Sequence, residues 1–468
     1  MLEFTLAPQR GEMVESLCKL IRIESVKGKP ETLMPYGKGV FNALMKMLGM
    51  ADHLDFDSVN LYSHMGYVDY GEGDETLAVL THLDVVPAGD GWTFPPFEGT
   101  VQDGRVYGRG AIDNKGPAVA ALYALHAIKE NGVELDKKVR LLFGCDEESG
   151  WADIDFYKQT VGEIPDMAIS PDAEFPVVNS EKGAAHYRLS MPREKSEDGS
   201  SSRLLKLLSI EGGDRVNVVP ATAECLLDCP IEPVTKLANL FVQECPAQLT
   251  WEQAGESQLR FSCRGRSAHG SKPQDGVNAV AWLIRFLSTL PLADDSMGRT
   301  VRTIAKKIGT KTDGSPMGIS RDDESGPLTL NLGFIHTLED AVEFGLDIRY
   351  PVSEPESFIT EHVKAAFDKF DLEKTSSLPP HFVAPDSDLV TGLLTAYEDV
   401  THEKGFCISM GGATYARAFP NSVAFGPLFP GQPATEHQPD EYIEVDSLVR
   451  VADLLAAAIV RLCGRKSR

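Results

Sequence analysis

The sequence predicts an α/β protein: a mixed sheet with helices on both faces, interrupted by a smaller inserted α+β domain. Three observations carry this. Apolar runs at residues 77–80, 139–143 and 167–169 read as buried strands and alternate with segments of helical apolar spacing. That alternation makes a parallel or mixed sheet covered on both faces. From about residue 186 the strands instead carry polar alternation, and after Leu378-Pro379-Pro380 the first texture returns. The expected division is residues 1–184, an inserted domain over 185–384, and residues 385–468 completing the first domain.

The elements follow in order. Met13, Leu17, Leu20 and Ile21 give residues 11–23 one apolar helical face, and a second helix is expected over 39–48. Residues 62–70 read as a hairpin leading into the strand at 77–81. Glycine-rich turns at 89–91 and 108–110 frame a polar segment, after which Pro117 opens an Ala-rich helix. In the inserted region, residues 226–231 lead into a helix through Leu237, and residues 346–352 lead into a helix over 359–367. These two strand–helix units resemble a weak internal repeat no more than chance would produce. Residues 407–409 and 423–425 read as strands. A closing amphipathic helix runs to Leu462 with Asp446 or Ser447 as its N-cap, and residues 464–468 form a solvated tail.

Composition bounds the function. At 468 residues the chain exceeds one ordinary core. Lys+Arg 45 against Asp+Glu 69 gives a net charge of −24. Such a balance excludes phosphate-backbone binding, which needs clustered basic residues, so no nucleic-acid partner is expected. The first residues lack the basic stretch and apolar core of a secretion signal. The longest apolar stretch, near residues 119–128, is too short for a bilayer and contains His126, so no membrane partner is expected. Eight scattered cysteines without a Cys-x-x-Cys pair disfavour a zinc ribbon and fit reduced thiols in the cytoplasm.

The chain is organised around Thr81-His82-Leu83-Asp84-Val85-Val86-Pro87, where a buried strand ends. Ligands sit at that carboxyl edge in open α/β sheets. His82 and Asp84 point to one side of an extended segment, and an imidazole beside a carboxylate suits a metal ligand held in one tautomer. A strand-end His satisfied by its neighbour is the plainer alternative. Asp113 lies in a glycine-bounded turn before a helix and reads equally as a cap. Asp146, Glu147 and Glu148 follow a strand, either as a buried cluster needing cations or as a solvated helix start. Asp172 follows the third strand and could be a turn residue; His437, late in the chain, could be a surface residue. Together they supply two His and several carboxylates at one sheet edge, the ligand set of hard-to-borderline divalent metals.

Here a family resemblance is plain. His82-Leu83-Asp84-Val85-Val86-Pro87 with Gly89 and Trp92, Gly108-Arg109-Gly110 before Asp113-Asn114-Lys115-Gly116, Asp146-Glu147-Glu148-Ser149-Gly150 and Ser170-Pro171-Asp172-Ala173-Glu174-Phe175-Pro176 resemble the dinuclear zinc exopeptidases related to aminoacylase and carboxypeptidase G. Asn217-Val218-Val219-Pro220, Ser267-Ala268-His269-Gly270, Asp347-Ile348-Arg349-Tyr350-Pro351 and Gly411-Gly412-Ala413-Thr414-Tyr415-Ala416-Arg417 resemble its bacterial dipeptidase V branch, the carnosinase-like Xaa-His dipeptidases. The resemblance implies a zinc-exopeptidase-like fold with a lid domain and two divalent ions, zinc first, with manganese or cobalt as alternatives. Asp113 would bridge the ions, His82 and Asp172 would bind one, and Glu148 and His437 the other. Asp84 would orient His82, and Glu147 would pass a proton from the attacking water to the leaving amine. From the inserted domain His269 would stabilise the oxyanion. Arg349 and Asn217 would hold the substrate's C-terminal carboxylate, with N–H donors from Gly411 and Gly412.

One departure stands out: Ala413 occupies a position where the dipeptidase V pattern usually has a third glycine, which bears on carboxylate binding and substrate preference. The long inserted stretch resembles a lid that serves its own active site, so a monomer acting on small peptides is expected. The leading expectation is therefore a cytoplasmic metallo-dipeptidase. An N-acyl-amino-acid amidohydrolase of the same architecture, of aminoacylase or succinyl-diaminopimelate desuccinylase type, is the alternative. A binding protein that has lost catalysis is the third.

Overall fold

The computed structural model describes residues 4–194 and 204–465. The chain divides into two units, Met1–Ser180 with Phe382–Ile408 and Ala413–Arg468, and Glu181–His381 with Ser409–Gly412. Residues 466–468 of the expected tail lie outside the described residues.

In the first unit the sheet runs, in spatial order, Ser58–Leu61, Met65–Tyr70, Lys138–Gly144, Thr76–His82, Met167–Ser170, Ser422–Ala424 and Val177–Glu181. Thr76–His82 lies parallel to both Lys138–Gly144 and Met167–Ser170, whereas Ser58–Leu61, Met65–Tyr70 and Lys138–Gly144 pair antiparallel. The sheet is thus mixed, and its central strand is buried along its whole length. The period of two explains why: Leu77 and Val79 join the core built with helices Arg10–Ile21, Lys38–His53, Lys115–Glu130 and Val445–Cys463, while Ala78 and Leu80 face a separate cluster with Ile154, Tyr157, Tyr415 and Phe419. Both faces are covered, as the continuous apolar strands require.

Local departures have local causes. The hairpin begins earlier than expected, at Ser58, and turns at residues 62–64, where Tyr62 and Ser63 both take positive φ. The Ala-rich helix starts at Lys115, so Pro117 sits in its first turn, where its missing N–H costs nothing. The closing helix is not capped by Asp446 or Ser447. It leaves the strand Tyr442–Glu444 directly, with Glu444 at the cap position; Asp446 falls in the first turn, and Ser447 accepts a hydrogen bond from Gln432. An acid inside the first turn still meets the helix dipole favourably.

The second unit is an antiparallel sheet in the order Gln248–Gly255, Gln258–Arg264, Thr222–Asp228, Lys206–Gly212, Thr329–Thr337, Ala341–Tyr350, Gly183–Pro192 and Asp371–Leu378. Helices Ile231–Phe241, Ala279–Leu287, Ser296–Lys307 and Glu356–Ala366 supply its core through Val234, Leu283, Val301 and Ile359. The two anticipated strand–helix units are present as Thr222–Asp228 with Ile231–Phe241, and Ala341–Tyr350 with Glu356–Ala366. No helix among the described residues is long and apolar enough to cross a membrane.

Candidate metal centre

The site of the first unit is assembled at the carboxyl edge of its parallel strands. His82 is the last residue of Thr76–His82, buried to 1% exposure. Its Nδ1–H donates to the Asp84 carbonyl oxygen at 3.0 Å. A carbonyl only accepts, so the proton is fixed on Nδ1 and the Nε2 lone pair is turned inward. Nε2 lies 3.0 Å from Asp113 and 3.7 Å from Asp172, with no aligned hydrogen bond. A lone pair facing two carboxylates is repulsive unless a cation lies between them.

The acidic loop is held by two buried carboxylates. Asp84 accepts the backbone N–H groups of Glu147 and Glu148 at 3.2 and 3.1 Å, and its own oxygen is 3.4 Å from His82 Nδ1. Asp153 Oδ2 accepts the N–H groups of Cys145 and Asp146 at 2.6 and 3.1 Å, and the Tyr415 hydroxyl donates to the same oxygen. Four consecutive amides therefore point at carboxylates, which fixes the backbone that carries Glu147 and Glu148. Tyr415 fits because residue 144 is glycine: a Cβ there would lie 2.5 Å from the ring.

Asp113 is held through its backbone. Glu441 Oε1 accepts the Ile112 and Asp113 N–H groups at 3.0 and 3.3 Å, while Oε2 pairs with Arg109 at 2.6 Å. Burial pushes the Glu441 carboxyl up to about 7. Asn114 donates to the Asp172 carboxylate at 2.9 Å and to the Pro171 carbonyl at 2.7 Å, orienting the third acid. Arg109 and Glu441 are 1% and 0% exposed. Glu441→Ala would strand a buried guanidinium, and a loss of about 3–5 kcal/mol in unfolding free energy is expected from urea titration followed by circular dichroism.

Two groups of ligand atoms result: His82, Asp113 and Asp172, and Asp113, Glu148 and His437, each set lying within 4.8 Å of one another. His437 Nε2 is 2.9 Å from Asp113 and 3.1 Å from Glu148. The electrostatics describe a pocket short of positive charge. Burial raises the Glu147 carboxyl well above its ordinary value, with Asp172 adding to the shift, and burial with Asp113 pushes Glu148 up to about 6. Burial opposes charge on both imidazoles. The surrounding acids outweigh it, raising His82 well above its ordinary value and His437 to about 11. Borderline nitrogen donors mixed with carboxylate oxygens suit zinc, manganese or cobalt, so the residues fit a resident divalent metal.

The remaining anticipated residues belong to the second unit. Arg349 donates to Asp347 from Nε at 2.7 Å and Nη2 at 3.0 Å, and to the Gly411 carbonyl from Nη1 at 2.8 Å. Gly411 thus presents its carbonyl to Arg349. His269 Nδ1 accepts the Ser271 N–H at 3.2 Å, which leaves the ring proton on Nε2. Asn217 and His269 sit on segments joined by the Gly270 N–H to Asn217 carbonyl bond at 2.7 Å and a bridge between Val218 and His269. Gly412 lies in the same segment as Gly411. Sequence reading assigned no role to Asp153, Tyr415, Glu441 or Asn114, although Asn114 and Tyr415 lie within the motifs of the resemblance; their work is done on backbone groups or on another acid.

Comparison with known proteins gives the family and the fold. A family model described as "Peptidase family M20/M25/M40" matches residues 78–461. The Bacillus subtilis (strain 168) protein named "Putative dipeptidase YtjP" is 37% identical over 469 residues, covering 98% of this chain and 99% of its own. Human carnosine dipeptidase 1 shares the fold, with a TM-score of 0.57 at 18% identity over 98% of this chain and 97% of that one. So does an M20 family metallo-carboxypeptidase from Sulfolobus solfataricus, with a TM-score of 0.58 at 16% identity over 96% and 99%. The chain belongs to peptidase family M20/M25/M40 and is a hydrolase acting on peptide bonds.

Proposed function

We propose that the protein is a two-metal dipeptidase cleaving short peptides that carry a free C-terminal carboxylate. The observation that carries this reading is the pair of ligand groups meeting at one shared carboxylate, Asp113. His82 and Asp172 would hold one ion and Glu148 and His437 the other, with Asp113 available to both; zinc is the first candidate, with manganese or cobalt as alternatives. When bound, two such cations polarise the scissile carbonyl and make water acidic enough to ionise near neutral pH.

The chain's own residues do the rest. Glu147 belongs to neither ligand group and takes the proton of the attacking water, then delivers it to the leaving amine. Asp84 fixes the backbone of Glu147 and Glu148 and flanks the His82 imidazole. His269 carries its proton on Nε2, the form needed to donate to a developing oxyanion. Arg349 and Asn217, with Gly411 and Gly412, hold the substrate's carboxylate; a guanidinium fork matches that group in shape and charge. We read the protein as a cytoplasmic monomer, which a stable dimer in sedimentation at micromolar concentration would overturn.

A substrate panel with elemental analysis tests the whole reading. Dipeptides are expected to turn over in the presence of Zn²⁺ or Mn²⁺, and N-acyl amino acids and N-succinyl-diaminopimelate are not. Turnover of only the N-blocked substrates would reassign the protein as an amidohydrolase of the aminoacylase or desuccinylase type. No turnover of any of them, with metal bound, would mark a binding protein.

A further inference from the structure

Sheet alternation divides the strand Ala341–Tyr350. Phe344, Leu346, Ile348 and Tyr350 face the core of the second unit, so Asp347 and Arg349 project from the opposite face. Both are nevertheless buried, at 0% and 6% exposure. Register places Asp347 directly across from His186 on one neighbouring strand and from Asn331 on the other. Residues directly opposite share a face, so the three side chains form one polar row across three strands.

Asp347 and Asn331 each hold a neighbour in place. Asp347 takes the Nε and Nη2 protons of Arg349, and the Gly411 carbonyl takes one from Nη1. A guanidinium has five N–H donors, so one remains on each Nη nitrogen, a pair suited to a carboxylate. His186 Nε2 lies 3.3 Å from the Asp347 oxygen that takes the Arg349 Nε proton. Asn331 donates from Nδ2 to the carbonyls of Val216 at 2.8 Å and Val218 at 2.9 Å, the two residues flanking Asn217. Its own oxygen accepts from Asn278 at 3.2 Å, which sets the orientation of the amide. The pieces are packed closely: a Cβ on Gly270 would lie 2.6 Å from Asp347 Oδ2 and 2.8 Å from the Asn217 backbone.

We propose that Asp347 and Asn331 are positioning residues for the subsite that receives the substrate's C-terminal carboxylate. Asp347 locks the plane of the Arg349 guanidinium so that its two spare Nη protons form the receiving edge. Asn331 fixes the segment that carries Asn217. Neither touches substrate; they act through Arg349 and Asn217. The inference rests on the preceding reading of those two residues.

The test compares kcat/KM of the metal-loaded enzyme for a dipeptide and for the same dipeptide as its C-terminal amide. The unaltered protein is expected to prefer the free acid. Asp347→Asn is expected to lose about 100-fold on the free acid, mainly through KM, because a small misplacement of a positioning group costs that much. Turnover of the amide and metal content are expected to stay near those of the unaltered protein. Asn331→Ala is expected to show the same selective loss at about tenfold, and it decides the matter if Asp347→Asn does not fold. Equal losses on both substrates, or an unchanged preference, overturn the proposal while leaving the function intact. An unaltered protein that does not distinguish acid from amide overturns the assignment of Arg349 and Asn217, and the proposal with it.

Discussion

Glu147→Ala is expected to lower kcat by about 10²–10⁴-fold, the range for loss of a positioned general base, while the protein retains its metal. The two outcomes separate because Glu147 lies outside both ligand groups, although its neighbour Glu148 lies within one. Its backbone N–H is fixed on Asp84, so removing the side chain leaves the loop and the Glu148 carboxylate where they are. Steady-state kinetics beside elemental analysis of the same preparation checks both. Loss of metal together with activity would show that the roles of Glu147 and Glu148 are exchanged.

Asp113→Ala is expected to do the opposite, emptying the site before it affects anything else. Both groups of ligand atoms pass through this one carboxylate. It is also the carboxylate nearest to both imidazoles, 3.0 Å from His82 and 2.9 Å from His437. Burial alone would push its carboxyl up; His437 and His82, when they carry a second ring proton, outweigh burial and hold it below the ordinary range. Metal affinity is expected to fall by more than the roughly 100-fold that loss of an outer partner costs. Competition with a chelator, followed by elemental analysis after gel filtration, measures it. Retention of both ions would remove the bridging role from Asp113.

What the sequence made legible follows the range over which each residue acts. The buried strands announce themselves through short apolar runs, and His82 stands where such a run stops. Asp113, Asp172 and Glu148 come soon after glycine turns or strand ends, so local pattern and family resemblance both point to them. The residues that hold them in place carry no such mark. Glu441 meets the Asp113 amide across 328 positions of chain, and Tyr415 reaches Asp153 across 262. Their contacts are to backbone N–H groups or to another acid, which no residue spacing encodes. Helix ends were equally opaque: Asp446 and Ser447 are good capping types, but the strand Tyr442–Glu444 decides where the closing helix begins. In the second unit Arg349 was legible by resemblance, whereas Asn331 shows its use only once strand register sets it opposite Asp347.

The first unit is written in pieces on either side of the second, and this shapes its birth on the ribosome. A nascent chain that has emerged through Asp172 already contains His82 and Asp113, the whole of one group of candidate ligand atoms. The other group waits for His437, synthesised only after more than 200 further residues, a delay visible in the numbering itself. The apolar side of Lys115–Glu130 waits longer still, because its partner Val445–Cys463 comes far later in the chain. Until that helix has been made, the apolar face of Lys115–Glu130 stays uncovered, the kind of exposed surface on which a partly folded chain aggregates.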